Sequence, residues 1–177
     1  FGYVKKAAAL ANRDLGVLDA RIAEAIVGAC DRLIAGEMRE HFVTDFIQGG
    51  AGTSTNMNAN EVIANRALEI LGRERGDYAH CHPNNHVNLA QSTNDVYPTA
   101  LRIAATLATR GLVAALERLR GALAEKGEEF RDVLKMGRTQ LQDAVPMTLG
   151  QEFGAFAVTT GEDVARAELA DGLELRG

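Results

Sequence analysis

The tripeptide Ser-Thr-Asn occurs twice in the chain, as Ser54-Thr55-Asn56 and Ser92-Thr93-Asn94, each time running directly into an amphipathic helical pattern. Amides at a helix start are unpaired and carry partial positive charge, so hydroxyls and carboxamides gathered there can hold a carboxylate without a lysine. A third polar segment, Gly137-Arg138-Thr139-Gln140, precedes another helical stretch and could close on the same ligand. Thr53 and Asn58 flank the first segment, Gln91 and Asp95 the second, Gln142 and Asp143 the third. Such side chains offer both donors and acceptors, which suits a ligand carrying carboxylates and an ammonium. Each segment alone is explained by helix capping, since Ser, Thr and Asn are the preferred caps. Three in one short chain, the first preceded by Gly49-Gly50-Ala51-Gly52, point to a site, because glycines let the backbone take positive φ and approach a ligand closely.

The elements that must position these segments read as helices. Residues 3–12 and 17–35 have helical period, the second placing Val17, Leu18, Ile22, Ala25, Ile26, Ala29, Leu33 and Ile34 on one face, with Gly36 as its stop. The period is lost over 41–52 and returns at Asn60-Glu61, with Val62, Ile63, Ala67, Leu68, Ile70 and Leu71 apolar and Gly72 as C-terminal cap. Residues 73–90 are irregular and polar. Asn94 or Asp95 then caps a long helix whose first turn holds Pro98, with Leu101, Ala104, Ala108, Leu112, Ala115, Leu119 and Leu123 along one seam. Running from about 98 to about 129, it would be about 48 Å long, a length that belongs in a bundle or an oligomer core. Residues 130–147 break the pattern, and Pro146 reopens it for a helix from about 148 to the chain end, where Glu174-Leu175-Arg176-Gly177 reads as charged helix with no stop. With Phe1 in place of an initiator Met, the expectation is a piece of a longer polypeptide. The expected class is all-α, with a helical N-terminal domain over 1–90 and the first helices of a central bundle domain over 91–177.

Composition narrows the function classes. The 177 residues are 46% hydrophobic but only 5% aromatic, with no Trp, which favours packed helices over a sheet. A net charge of −5 and a pI near 5.4 argue against a nucleic-acid binder. Arg21, Glu24, Arg102 and Arg110 interrupt the longest apolar runs, so the expectation is no membrane span and a cytoplasmic location. Cys30 and Cys81 are isolated and read as reduced, partly buried thiols. Cys81, His82 and His86 offer three metal ligands without a second Cys/His pair to complete a tetrahedral set, so a solvated histidine loop or a weak anion site is the favoured reading. There is no G-x-S-x-G elbow for a serine hydrolase.

Longer stretches carry a resemblance. Gly50-Ala51-Gly52-Thr53-Ser54-Thr55-Asn56-Met57-Asn58-Ala59-Asn60-Glu61-Val62, then His82-Pro83-Asn84-Asn85-His86-Val87-Asn88 with Gln91-Ser92-Thr93-Asn94-Asp95, then Gly137-Arg138-Thr139-Gln140-Leu141-Gln142-Asp143-Ala144-Val145-Pro146 closely resemble the aspartase/fumarase superfamily, in order and over nearly the whole chain. Thr-Ser-Thr, Gln-Ser-Thr-Asn-Asp and Gly-Arg-Thr-Gln look like its aspartase branch. The fumarase branch typically reads Thr-Gln-Thr, Ser-Ser-Asn-Asp and Gly-Arg-Thr-His, and is the close alternative.

The resemblance implies a reversible anti elimination of ammonia from L-aspartate to give fumarate, through an aci-carboxylate intermediate and without an organic cofactor; divalent-metal activation stays open. Its main electrostatic task is to stabilise the extra charge on the β-carboxylate. By position, Thr53, Ser92 and Thr93 would hold that carboxylate, Thr93 and Asn94 would approach the amino group, and Thr139 would bind the α-carboxylate. Gln140 stands where many relatives have His; it would contact the amino group and cannot act as an acid. The catalytic serine of the superfamily lies in a Gly-Ser-Ser-x-Met-Pro-x-Lys-x-Asn loop that these residues do not contain. The superfamily also shares each active site among three subunits of a homotetramer, so the fragment alone is expected to be inactive. Asn85 replaces the Asp of the usual His-Pro-Asn-Asp-His, which puts any role carried over to that loop in doubt. A non-catalytic helical scaffold of the same superfamily is the rival from another class.

Overall fold

A computed structural model describes residues 1–45 and 47–174. It forms two compact units, Phe1–Arg102 and Ile103–Gly177, where the sequence suggested a cut near residue 90. The helices are α1 (Gly2–Asp14), α2 (Ala20–Ile34), α3 (Thr53–Ile70), α4 (Thr93–Glu129) and α5 (Leu149–Glu174). One antiparallel hairpin, β1 (Leu134–Thr139) with β2 (Gln142–Thr148), is the only sheet among the described residues. The expected helix over residues 175–177 lies outside the described residues.

In the first unit α1 packs on α2 and α2 on α3. Asp19 caps α2 by accepting the Arg21 and Ile22 amides at 2.9 and 3.2 Å. Gly36 and Gly72 close α2 and α3 in left-handed conformations (φ 93° and 72°), as their positions suggested. The core joins Leu18, Ala23, Ile26, Ala29 and Cys30 to Ile63, Ala67 and Leu68. Burying each of its large aliphatic side chains stabilises the fold by about 1.5–3 kcal/mol. Val17 is a correction: it precedes α2 and is 61% exposed. The α1 helix is amphipathic in an unusual way, since its buried stripe is Gly2, Lys5, Ala9 and Asn12, at helical spacing but half polar. Gly2 sits against Ile34, where a β-carbon would come within 2.8 Å of the side chain.

Three expectations change. The α3 helix begins at Thr53, seven residues before Asn60, so Ser54-Thr55-Asn56 forms its first turn and not a loop. The α4 helix begins at Thr93, which places Pro98 inside the helix rather than in its first turn. Residues 130–147 are not simply irregular: Gly137-Arg138-Thr139 is strand, and Pro146 pairs with Met136 instead of starting a helix. Within 73–90, Pro83–Val87 forms a single π-helical turn.

In the second unit α4 and α5 touch through glycines. A β-carbon on Gly150 would lie 2.4 Å from the Gly127 carbonyl oxygen. Phe130 packs on Phe153 with ring centroids 5.7 Å apart, and Lys135 pairs with Glu152 at 2.7 Å. The apolar seam of α4 stays largely open, with Leu112 and Leu119 half exposed. By length and composition alone α4 is apolar enough to cross a bilayer, with an 18-residue window of mean hydropathy 1.3; Arg102 and Arg110 do not interrupt it as expected.

Candidate active site

The two Ser-Thr-Asn segments are brought together as paired helix starts. Gly52, in a left-handed conformation (φ 82°), precedes α3, and no side chain caps that end. The ring of Tyr97, from the second turn of α4, lies against Gly52 so closely that a β-carbon there would sit 2.4 Å from it. One turn into α3, the Asn56 side-chain amide donates to Thr93 Oγ1 at 2.9 Å. The start of α3 is thereby docked against the start of α4.

Thr53 is the first residue of α3 and is exposed. Ser92 caps α4 in place of the expected Asn94 or Asp95: its Oγ accepts the Asn94 amide at 3.2 Å, and its carbonyl accepts from Asp95 and Val96. Thr93 is half buried at the first helical position, with Asn94 exposed beside it. Among the described residues nothing accepts the Thr93 hydroxyl proton. The arrangement offers hydroxyls and first-turn amides in one place, a set of donors suited to an anion.

Behind this surface lies a buried polar network. Lys5, fully buried, donates to Asn88 Oδ1 at 2.8 Å and to Gln91 Oε1 at 3.1 Å. Asn88 Oδ1 also accepts from Asn60 at 3.2 Å and from Asn56 at 3.3 Å. Gln91 turns its amide onto the Val87 and Leu89 carbonyls, and Asn12 donates to Leu89 as well. Burial lowers the Lys5 pKa from 10.5 to about 8. Sequence reasoning missed Lys5, although the 3–4–3 spacing of Gly2, Lys5, Ala9 and Asn12 sets it on the stripe that α1 buries. Asn58, counted among the polar residues of the first segment, is instead structural: it accepts from the Val43 amide and donates to the His41 carbonyl, both at 3.0 Å.

Thr139 and Gln140 belong to the second unit, at the tip of the hairpin. Gln140 and Leu141 both have positive φ, 48° and 64°, the two-residue turn usually left to Asn-Gly. Arg138 and Asp143 pair across the strands at 2.6 Å. Non-glycine residues held in left-handed conformations store strain, which clusters at functional sites.

Two other places are otherwise engaged. His82 Nδ1 accepts the Asn84 and Asn85 amides and His86 Nδ1 accepts the His82 amide, so these nitrogens serve the π-turn. A hollow of about 700 Å³ lined by Glu37, His41, Glu61, Arg66, Glu69 and Arg75 includes Asn58 but none of the expected contact residues Thr53, Ser92, Thr93, Asn94, Thr139 and Gln140. Within it Glu69 pairs with Arg66 and Arg75, both at 2.5 Å, and those hydrogen bonds hold its carboxyl below the ordinary range.

This arrangement has relatives. A sequence profile of the Lyase family matches residues 1–174. The chain belongs to that family. It is 66% identical over 163 residues to the aspartate ammonia-lyase of Pseudomonas fluorescens, covering 92% of this chain and 34% of the relative. A solved structure of a "fumarate lyase:delta crystallin" from Brucella melitensis superposes with a TM-score of 0.90 at 61% identity, over 98% of this chain and 40% of that one. A class II fumarase from Schistosoma mansoni superposes with a TM-score of 0.82 at 37% identity, over 96% and 36%. The chain therefore spans about a third of the length of the curated relatives it matches. The lyase fold of these neighbours agrees with the all-α expectation, the small hairpin apart.

Proposed function

We propose that this chain is part of an aspartate ammonia-lyase that interconverts L-aspartate with fumarate and ammonia by reversible anti elimination. The observation that carries the reading is the docking of two hydroxyl-rich helix starts through Asn56 and Thr93, with the Thr93 proton left for a ligand. In this reading Thr53, Ser92 and Thr93 receive the β-carboxylate, whose charge rises as the carbon beside it loses its proton to an aci-carboxylate. Donors aimed at that developing charge lower the barrier. Asn94 approaches the amino group, Thr139 binds the α-carboxylate, and Gln140 contacts the amino group without acid chemistry.

Gln140 and the high identity to an aspartate ammonia-lyase favour ammonia over water as the group eliminated. No step is assigned to an organic cofactor. The proton acceptor is proposed to be a serine supplied from outside these residues. The open seam of α4 supports assembly into a homotetramer whose subunits complete one another's sites, with the chain alone inactive.

Product analysis tests the reaction. Full-length protein given fumarate and ammonium should yield aspartate; formation of malate instead would assign the fumarase reaction, and no product with either nucleophile would favour a scaffold.

A further inference from the structure

We propose that Lys5 is a positioning residue that sets the direction of the hydrogen bonds reaching Thr93, so that this hydroxyl offers its proton and not its lone pair to an anionic ligand. The inference rests on the reading of Thr93 as a substrate contact and deepens it.

An ammonium has three donors and no acceptor. Whatever faces Lys5 Nζ must therefore be an acceptor, which fixes Asn88 with Oδ1 turned towards it at 2.8 Å and Gln91 with Oε1 at 3.1 Å. The opposite face of the Asn88 amide agrees, since its Nδ2 donates to the Gln91 carbonyl at 3.1 Å. With Asn88 Oδ1 fixed as acceptor, Asn56 and Asn60 must each present a side-chain NH₂ to it. The second proton of the Asn56 amide then goes to Thr93 Oγ1. A threonine hydroxyl that receives a hydrogen bond keeps its own proton to give, and among the described residues nothing takes it.

Without the cation, only the Nδ2 bond to the Gln91 carbonyl holds the Asn88 amide in this sense. Asn88 could then turn its NH₂ towards Asn56, Asn56 could answer with Oδ1, and the flip would leave Asn56 Oδ1 facing Thr93. The Thr93 proton would be consumed by Asn56, and a lone pair would face the carboxylate. The buried Oδ1 atoms of Asn56 and Asn60 have no hydrogen-bond partner in the present arrangement. An unpaired buried acceptor costs about 1–3 kcal/mol, a cost that the observed orientation bears at both residues. Lys5 is the one side chain of the network that cannot reverse its role, and it acts from α1, one hydrogen bond beyond Asn88 and three from Thr93.

A double-mutant cycle on the full-length enzyme tests the link, reading kcat/KM for aspartate per active site. Losing one hydrogen bond to a charged group should lower it about tenfold in Thr93→Val. Lys5→Met should cause a loss of similar size, and the double variant should lose no more than Thr93→Val alone. A purely structural role for Lys5 would lower the number of active sites and leave kcat/KM per active site unchanged, and an effect independent of Thr93 would multiply with Thr93→Val. That multiplication, or an unchanged kcat/KM in folded Lys5→Met, would overturn the proposal. If Lys5→Met does not fold, Asn88→Leu breaks the same chain one link nearer Thr93, and the same non-additivity with Thr93→Val is expected. If Thr93→Val itself has wild-type kcat/KM, the reading of Thr93 as a substrate contact fails; if it is impaired but uncoupled, only the role of Lys5 fails.

Discussion

A lysine with no solvent exposure in an acidic protein needs a reason, and the hydrogen bonds to Asn88 and Gln91 supply one. The same burial has a thermodynamic signature. Burial lowers the Lys5 pKa to about 8 from 10.5, so between those values the unfolded chain binds more protons than the folded one. The penalty for the buried ammonium is fully present below about pH 8 and is relieved as the pH rises towards 10.5. The group facing Lys5 is the Cys30 thiol; burial pushes it up to about 12, so it stays neutral across most of this window. Stability measured by denaturant unfolding should therefore climb from pH 8 to pH 10.5 in the wild-type protein relative to Lys5→Met. Parallel pH profiles for the two proteins would contradict this assignment of the buried charge.

At the scale of elements, the docking of α3 on α4 depends on Gly52 twice, through its left-handed backbone and through the Tyr97 ring lying against it. Gly76 has the same kind of backbone (φ 84°) with nothing within 4 Å of its would-be side chain. Gly76→Ala should therefore cost only the backbone term of about 1–2 kcal/mol, whereas Gly52→Ala should also displace Tyr97 and reduce kcat/KM. Equal losses of stability and unimpaired kinetics in both variants would show that the Gly52–Tyr97 contact does not shape the pocket. The α5 start gives a parallel case without backbone strain, because Gly150→Ala would drive a methyl into the Gly127 carbonyl. Melting of that variant should occur several degrees below wild type.

The apolar period located α1, α2, the later turns of α3, and the long α4 and α5. It could not locate the first turns of α3, where Asn56 and Asn58 are buried and Ala59 is the one buried apolar side chain, too little for a hydrophobic pattern to register. The hairpin was hidden for a different reason. Its turn is Gln140-Leu141, its strands carry Gly137 and Pro146, and most of its residues are exposed, so neither turn chemistry nor alternation marks it. Ser54-Thr55-Asn56 and Ser92-Thr93-Asn94 stand out in the sequence because hydroxyls and amides at helix starts have a direct chemical meaning, while the contact roles of Thr53, Ser92, Thr93 and Asn94 come from the resemblance. Lys5 does not stand out, because a lysine in an alanine-rich helix ordinarily faces water.

At the scale of the whole molecule, four expected contact residues lie in the first unit and two at the hairpin tip of the second. The reading of the paired helix starts as a dicarboxylate grip is thus most directly tested by ligand protection of the full-length protein against heat. Fumarate should raise the melting temperature of the wild-type protein, since a ligand that binds only the folded state stabilises it by mass action. Thr93→Val should melt close to wild type without ligand and lose most of that shift. An equal shift in both proteins, or none in the wild type, would contradict the account.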